Sequence, residues 1–287
     1  MPVWINGQEW GTVQFPNREY QFKTVDFKRK NRIVVQWKDS NDITKLLMLL
    51  SYYKKSTAWW EKELELLMPY LPYSRADRYT SQQEIPTIEL LGDLLKPYPI
   101  SSIGVMSPHS DASDVCLDRL VHIPTFLMAK DEVSTRTVFE NIVFKHNIDR
   151  ICYPDKGAQK RYGSVIGYEK YSFHGDKVRE DGGKLSDFRL VDAPDLTDKS
   201  VLIIDDICSK GGTAYNIASL IRKAGAKNVV LYVDHCEGAI LAGKILTDNV
   251  ISHVYTTNSI VHSGHPKITT LDVIAWCHEA EVNENDN

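Results

Sequence analysis

The stretch Val201–Thr213, VLIIDDICSKGGT, constrains this chain more than any other. Four apolar residues, Val201 to Ile204, run into two adjacent carboxylates, Asp205 and Asp206. A turn of Ser209, Lys210, Gly211, Gly212 and Thr213 follows, ahead of an Ala-rich segment. A short unbroken apolar run reads as a strand covered on both faces, as in a parallel sheet. The turn after such a strand lies at the carboxyl end of the sheet, where open α/β folds place ligands. Two adjacent acids there can accept hydrogen bonds from vicinal ribose hydroxyls. The amides of Gly211, Gly212 and Thr213, at a helix start, favour a phosphate, and glycine lets the backbone come close to it. Turn chemistry alone gives no reason for paired acids ahead of Gly-Gly. The segment therefore predicts a sugar-phosphate site, with Cys208 as a strand-end packing residue, since nothing in this chemistry needs a covalent step.

The rest of the chain has an α/β rhythm. Strands are expected at Arg32–Trp37, Glu63–Leu71 and Ser102–Ser107, with helices at 43–54, capped by Asn41, and at 85–95. A second set follows: a helix near 134–146, strands at Arg150–Tyr153, Ser164–Lys170 and Ser200–Asp205, a helix at 214–224, and strands at 228–235 and 253–256. Phe173–Leu196 is polar, contains Gly175, Gly182 and Gly183, and reads as a long loop of the kind that forms lids. At 287 residues, 43% of them hydrophobic, the chain exceeds the usual size of one domain. The expectation is two tandem α/β domains with mainly parallel sheets, 1–130 and 131–287.

A formal net charge of −4 argues against a nucleic-acid binder that works through a basic surface. Five cysteines, at 116, 152, 208, 236 and 277, form no CxxC pair and read as reduced thiols. No apolar run approaches the roughly 20 residues that cross a bilayer, and the first residues lack a signal pattern. The cytoplasm is the expected location.

The segment 201–213 resembles the phosphoribosyl-diphosphate motif shared by type I phosphoribosyltransferases and ribose-phosphate pyrophosphokinases. Other segments favour the second group. FPNREY at 15–20 is similar to the pyrophosphokinases' Phe-x-Asp-Gly-Glu, and SNDITKLLMLL at 40–50 to their Asn-Asp helix. YLPYSRADR at 70–78 is similar to their Pro-Tyr-x-x-Arg-Gln-Asp-Arg, SPH at 107–109 to Asp-x-His, and YPDKGAQKR at 153–161 to Pro-Asp-x-Gly with a later Arg. The resemblance spans about residues 12 to 275 and identifies the chain as a divergent, short member of the ribose-phosphate pyrophosphokinase family, with phosphoribosyltransferase-like domains.

That resemblance implies Mg2+-dependent transfer of diphosphate from ATP to the anomeric hydroxyl of ribose 5-phosphate. It implies that Phe15 stacks on adenine while Asn17 and Glu19 read its edge, and that Arg75, Asp77, Arg78 and His109 hold ATP. Asp155 and His109 would serve the metal. A family loop carries a Lys-x-Arg pair just after a strand. With a strand ending at YEKYSF, Lys170 matches the lysine and Ser172 stands where the arginine belongs, leaving Lys177 and Arg179 as substitutes that swing in. The Phe15 segment reaches a neighbouring subunit in the family, which implies a homo-oligomer, dimer or hexamer, with shared sites. Two further readings stay open. Ser209 and Lys210 make the phosphate loop more positive than the family's Asp-Thr, which suits an extended acceptor such as ADP-ribose and a role in rebuilding NAD. Ser172 and Ser107 admit a catalytically silent, regulatory relative.

Overall fold

The structure is a computed structural model that describes residues 2–56, 59–79, 84–130, 136–179 and 185–279. The chain forms two compact units. The first comprises residues up to Ile123, with Ser259–Val261 and the segment from Asp272 onward; the second comprises Pro124–Asn258 and His262–Leu271.

In the first unit, β1 (Val3–Ile5) and β2 (Gln8–Glu9) form a hairpin, and β3 (Thr12–Gln14) with β4 (Tyr20–Phe22) form another. Then come β5 (Lys30–Val35), α1 (Asp42–Lys55), β6 (Glu63–Met68), α2 (Thr87–Leu95), β7 (Ser102–Met106), α3 (Ala112–Cys116) and β8 (Leu120–Ile123). The sheet order is β2-β1-β5-β6-β7-β8. From β5 to β8 the pairings are parallel, and Ile33, Val34, Leu64, Leu66 and Val105 are buried, as strands covered on both faces require. Asn41 stands at the start of α1 but makes no capping bond with its side chain. The bend is held instead by Asp42, whose carboxylate accepts from the Lys38 and Asp39 amides at 2.6 and 2.9 Å. A terminal helix, Val273–Glu279, also belongs to this unit: Arg32 Nη1 donates to the Cys277 carbonyl at 3.2 Å, and Trp4 meets His278 edge-on.

The second unit contains α4 (Val138–His146), β9 (Arg150–Tyr153), α5 (Lys156–Ile166), β10 (Ser172–Arg179), β11 (Leu185–Val191), β12 (Ser200–Cys208), α6 (Gly212–Lys223), β13 (Asn228–Cys236), α7 (Lys244–Thr247), β14 (His253–Thr257) and β15 (Ile268–Leu271). Its sheet runs β11-β10-β9-β12-β13-β14-β15, and only the β10–β11 pairing is antiparallel. α6 buries Ala214, Ile217, Ala218 and Ile221, the i, i+3, i+4, i+7 stripe of a helix lying on a sheet. Each isoleucine contributes about 1.5–3 kcal/mol by that burial.

Two expectations are corrected here. Ser164–Lys170 is not a strand. Asp155 caps a helix through the Ala158 amide, buried Ala158, Tyr162 and Ile166 recur every four residues along it, and Gly167 stops it in the left-handed conformation at φ 70. A short 3-10 turn, Glu169–Tyr171, follows. Phe173–Leu196 is not a loop without secondary structure, because β10 and β11 form a hairpin within it. The hairpin is polar because only Ser172, Phe173 and His174 pair with β9; the rest of β10 extends past that strand alongside β11. Ser134 of the expected helix, and Gly182 and Gly183 of the expected loop, lie outside the described residues.

Candidate functional site

The acidic pair stands at the carboxyl end of β12, flanked by the ends of β9 and β13. Asp206 is 4% exposed and lies 3.2 Å from the Arg161 guanidinium Nη1. Its own amide donates to Asp205 Oδ1 at 3.0 Å. Burial and the neighbouring Asp206 charge push the Asp205 carboxyl well above the ordinary carboxylate range. The site thus presents one carboxylate held by a guanidinium beside a second whose ionisation is costly, and a bound cation or hydroxyl donors would relieve that cost.

The turn that follows leads into a helix start. Gly211 has φ 76, a conformation that suits glycine, and helix α6 starts at Gly212. The first helical amides, those of Gly212 and Thr213, have no intrahelical acceptor. Behind the turn, the Lys210 carbonyl lies so close to Gly243 that a Cβ there would come within 2.1 Å of it. Ser209 is half-buried and Lys210 exposed. Among the described residues no ion pair engages the Lys210 ammonium.

At the end of β9, one oxygen of Asp155 accepts from the Ala158 amide at 3.0 Å, and the other faces Lys177 Nζ at 3.5 Å. Lys177 and Arg179 lie at the end of β10. Lys170 lies ahead of that strand, exposed, in the 3-10 turn, so the strand end expected at Lys170 falls nine residues before the end of β10. Lys177 and Arg179, which also have the Lys-x-Arg spacing, belong to the last part of β10 itself, and Ser172 is the first residue of that strand. Among the described residues no three His, Cys, Asp or Glu side chains form a closed metal cage. Asp155 and the acidic pair are hard oxygen donors, which fits Mg2+, an ion that takes one or two carboxylates and completes its shell with substrate phosphate and water.

In the first unit, Arg75, Asp77 and Arg78 lie on the loop after β6 and His109 on the loop after β7. Arg78 Nε and Nη2 fork onto the two Asp77 oxygens at 2.9 and 3.0 Å. The hydrogen bonds from Arg78 and from Ser110 hold the Asp77 carboxyl down at about 2, and the second of them ties this loop to the one carrying His109. Arg75 is exposed and His109 half-buried. Phe15, 45% exposed, tips the β3–β4 hairpin. Asn17 Nδ2 donates to Glu19 Oε2 at 2.8 Å, which orients the two side chains together. Phe15, Glu19, Tyr20, Lys38 and Asp39 line a cavity of about 710 Å³, concave enough for a nucleobase.

The two α/β sheets agree with what the chain is similar to. A ribose-phosphate pyrophosphokinase of Pyrococcus abyssi is 28% identical over 278 residues, covering 93% of this chain and 90% of the relative. Ribose-phosphate pyrophosphokinase 2 of Schizosaccharomyces pombe is 24% identical over 275 residues, covering 91% of this chain and 81% of the relative. The chain is a divergent relative of the ribose-phosphate pyrophosphokinases. The solved phosphoribosylpyrophosphate synthetase of Mycobacterium smegmatis shares the fold, with a TM-score of 0.74 at 21% identity over 94% of this chain and 88% of that one. No protein-family model matches the chain. Within the pyrophosphokinase pattern, sequence reasoning noted Arg161 as a motif letter but gave it no role, and it missed Gly243 altogether. Gly243 lies 33 positions from Lys210 and carries no local signal for its contact with the loop.

Proposed function

We propose that the chain is a ribose-phosphate diphosphokinase. The second unit holds ribose 5-phosphate: Asp205 and Asp206 accept from ring hydroxyls, and the amides of Gly212 and Thr213, with Ser209 and Lys210, take the 5-phosphate. The first unit holds ATP through Phe15, Asn17, Glu19, Arg75, Arg78 and His109, with Asp77 orienting Arg78. The anomeric oxygen bonds to the β-phosphorus of ATP, the bridge from that phosphorus to the α-phosphate breaks, the hydroxyl proton is lost, and AMP leaves. Lys177 and Arg179 neutralise charge on the moving group, and Lys170 is withdrawn from that role. Such transfer asks mainly for positioning and charge neutralisation. Mg2+, held by Asp155 and phosphate oxygens with His109 as the family's other metal position, would screen the triphosphate.

The observation that carries this reading is the carboxyl end of the second sheet's strands, where the Arg161-held acidic pair precedes the Gly211 turn and Lys177 faces Asp155. A catalytically silent, regulatory relative is a further reading, motivated by Ser172 and Ser107. A second reading, transfer to ADP-ribose, is supported by the exposed Lys210 in the phosphate turn. A homo-oligomer in which the Phe15 hairpin serves a neighbour, and a cytoplasmic location, belong to the same proposal. No helix among the described residues is long and apolar enough to cross a membrane.

The test is AMP release from ATP and Mg2+ with ribose 5-phosphate or ADP-ribose supplied separately. Release with ribose 5-phosphate, together with phosphoribosyl diphosphate in the products, is the expected result. Release with ADP-ribose alone would transfer the proposal to the second reading, and inertness toward both would favour the silent relative.

A further inference from the structure

A carboxylate lies sealed in the core of the second unit. Asp234, on β13, has no exposed surface. Three hydroxyls bond its oxygens: Thr125 Oγ1 at 3.0 Å from each, Tyr162 at 2.7 Å and Tyr232 at 2.6 Å. Burying an acid is costly even when its partners are present, and apolar packing would serve the fold as well. The position of Tyr162 supplies a reason for it. Tyr162 neighbours Arg161 on α5, and the Arg161 guanidinium lies 6.0 Å from the Tyr162 ring centroid. Arg161 Nη1 in turn lies 3.2 Å from Asp206. A continuous line therefore runs from the core to the site, through Asp234, Tyr162, Arg161 and Asp206.

We infer that Asp234 is a positioning residue for the sugar-phosphate site, acting through Tyr162 and Arg161 on Asp206; the role in sugar binding rests on the function proposed above. Arginine has many rotamers, and holding one of them costs entropy. The hydroxyl bond to Asp234 fixes Tyr162 in place, and the same side chain is a hydrogen-bond partner of the Arg161 guanidinium. Arg161 is then set toward Asp206 before any sugar arrives, so the acid pair does not have to be ordered during binding.

The test compares Tyr162→Phe with Tyr232→Phe. Each keeps its ring and removes one hydroxyl from the same buried carboxylate, so the structural loss at Asp234 is shared by the two, and only the Tyr162 hydroxyl also serves Arg161. Melting curves check that both are folded, and Thr125→Val provides a third comparison should either fail. Two readouts are taken: the Arg161 Nε–H resonance by NMR, and ribose 5-phosphate binding by calorimetry. In Tyr162→Phe the resonance is expected to shift and broaden and affinity to fall on the order of tenfold, against less than about twofold in Tyr232→Phe. Equal effects in the two variants, or an unmoved Arg161 resonance in Tyr162→Phe, would overturn the inference. A parent that binds no ribose 5-phosphate would instead count against the proposed function, and the Arg161 resonance, which needs no sugar, would still decide the relay.

Discussion

Lys177 Nζ stands 3.5 Å from the carboxylate of Asp155, the residue that caps α5. A lysine at the end of one strand and an acid at the end of its neighbour, β9, are thus paired at the edge where phosphates would sit. Lys177→Ala is expected to lower turnover on the order of 10²- to 10³-fold, because a cation facing developing charge acts mostly in the transition state. Lys170→Ala, a change at an exposed turn, is expected to stay within about twofold of the parent. Steady-state AMP release from both variants checks this; a larger loss in Lys170→Ala would restore the earlier assignment.

Asp155 has two duties that one substitution separates. Asparagine caps a helix as well as aspartate does but carries no charge. Asp155→Asn is expected to move the melting temperature by less than about 2 °C. The Mg2+ concentration for half-maximal activity should rise on the order of tenfold. Mg2+ titrations of activity beside thermal melts would show whether the two effects part.

Gly243 supports the phosphate turn from behind. Gly243→Ala would set a Cβ 2.1 Å from the Lys210 carbonyl and push the turn aside, whereas at Gly238 an added Cβ meets nothing within 4 Å. The affinity for sugar phosphate should fall on the order of tenfold in Gly243→Ala, with ATP binding and the Gly238→Ala control within about twofold of the parent. Calorimetric titration of each ligand separately tests the pattern.

His146 and His253 stack with their centroids 5.9 Å apart, bonded to Tyr255 and Thr269 respectively. Burial, then Lys145, lowers the pKa of His146; burial, then His146 and Lys145, lowers that of His253. The folded protein therefore takes up these protons less readily than the unfolded chain. This stability is complete above the ordinary histidine value of 6.5 and is lost as the pH falls below it through the lowered folded values. The melting temperature is expected to drop between about pH 7 and pH 5, and His253→Gln should flatten that slope. Melting curves at half-unit pH steps measure it.

Much of the site could be read from the chain itself because its parts are local. An apolar run, two acids and a glycine turn are contiguous, so strand, ligand edge and helix start follow from backbone chemistry over 13 residues. Asp155 entered only through the family resemblance, and its place as the cap of α5 came from the structure. What failed was the stretch from Ser164 to Leu196. There the cap at Asp155 and the stop at Gly167 outweighed the apolar pair Val165–Ile166, and a hairpin that leaves β9 after three residues had no apolar pattern to announce it. Misplacing that strand put Lys170, rather than Lys177, at the expected strand end.

The sequence by itself determined the two-sheet α/β class, the acidic pair and the glycine turn, since each is written in neighbouring residues whose preferences act over a few ångströms. Only the tertiary structure decided which lysine faces Asp155, that Arg161 holds Asp206, and that Gly243 and Asp234 stand behind the site. Those contacts join positions many residues apart, and side chains reach them only after the sheet has closed and its strands have set their register.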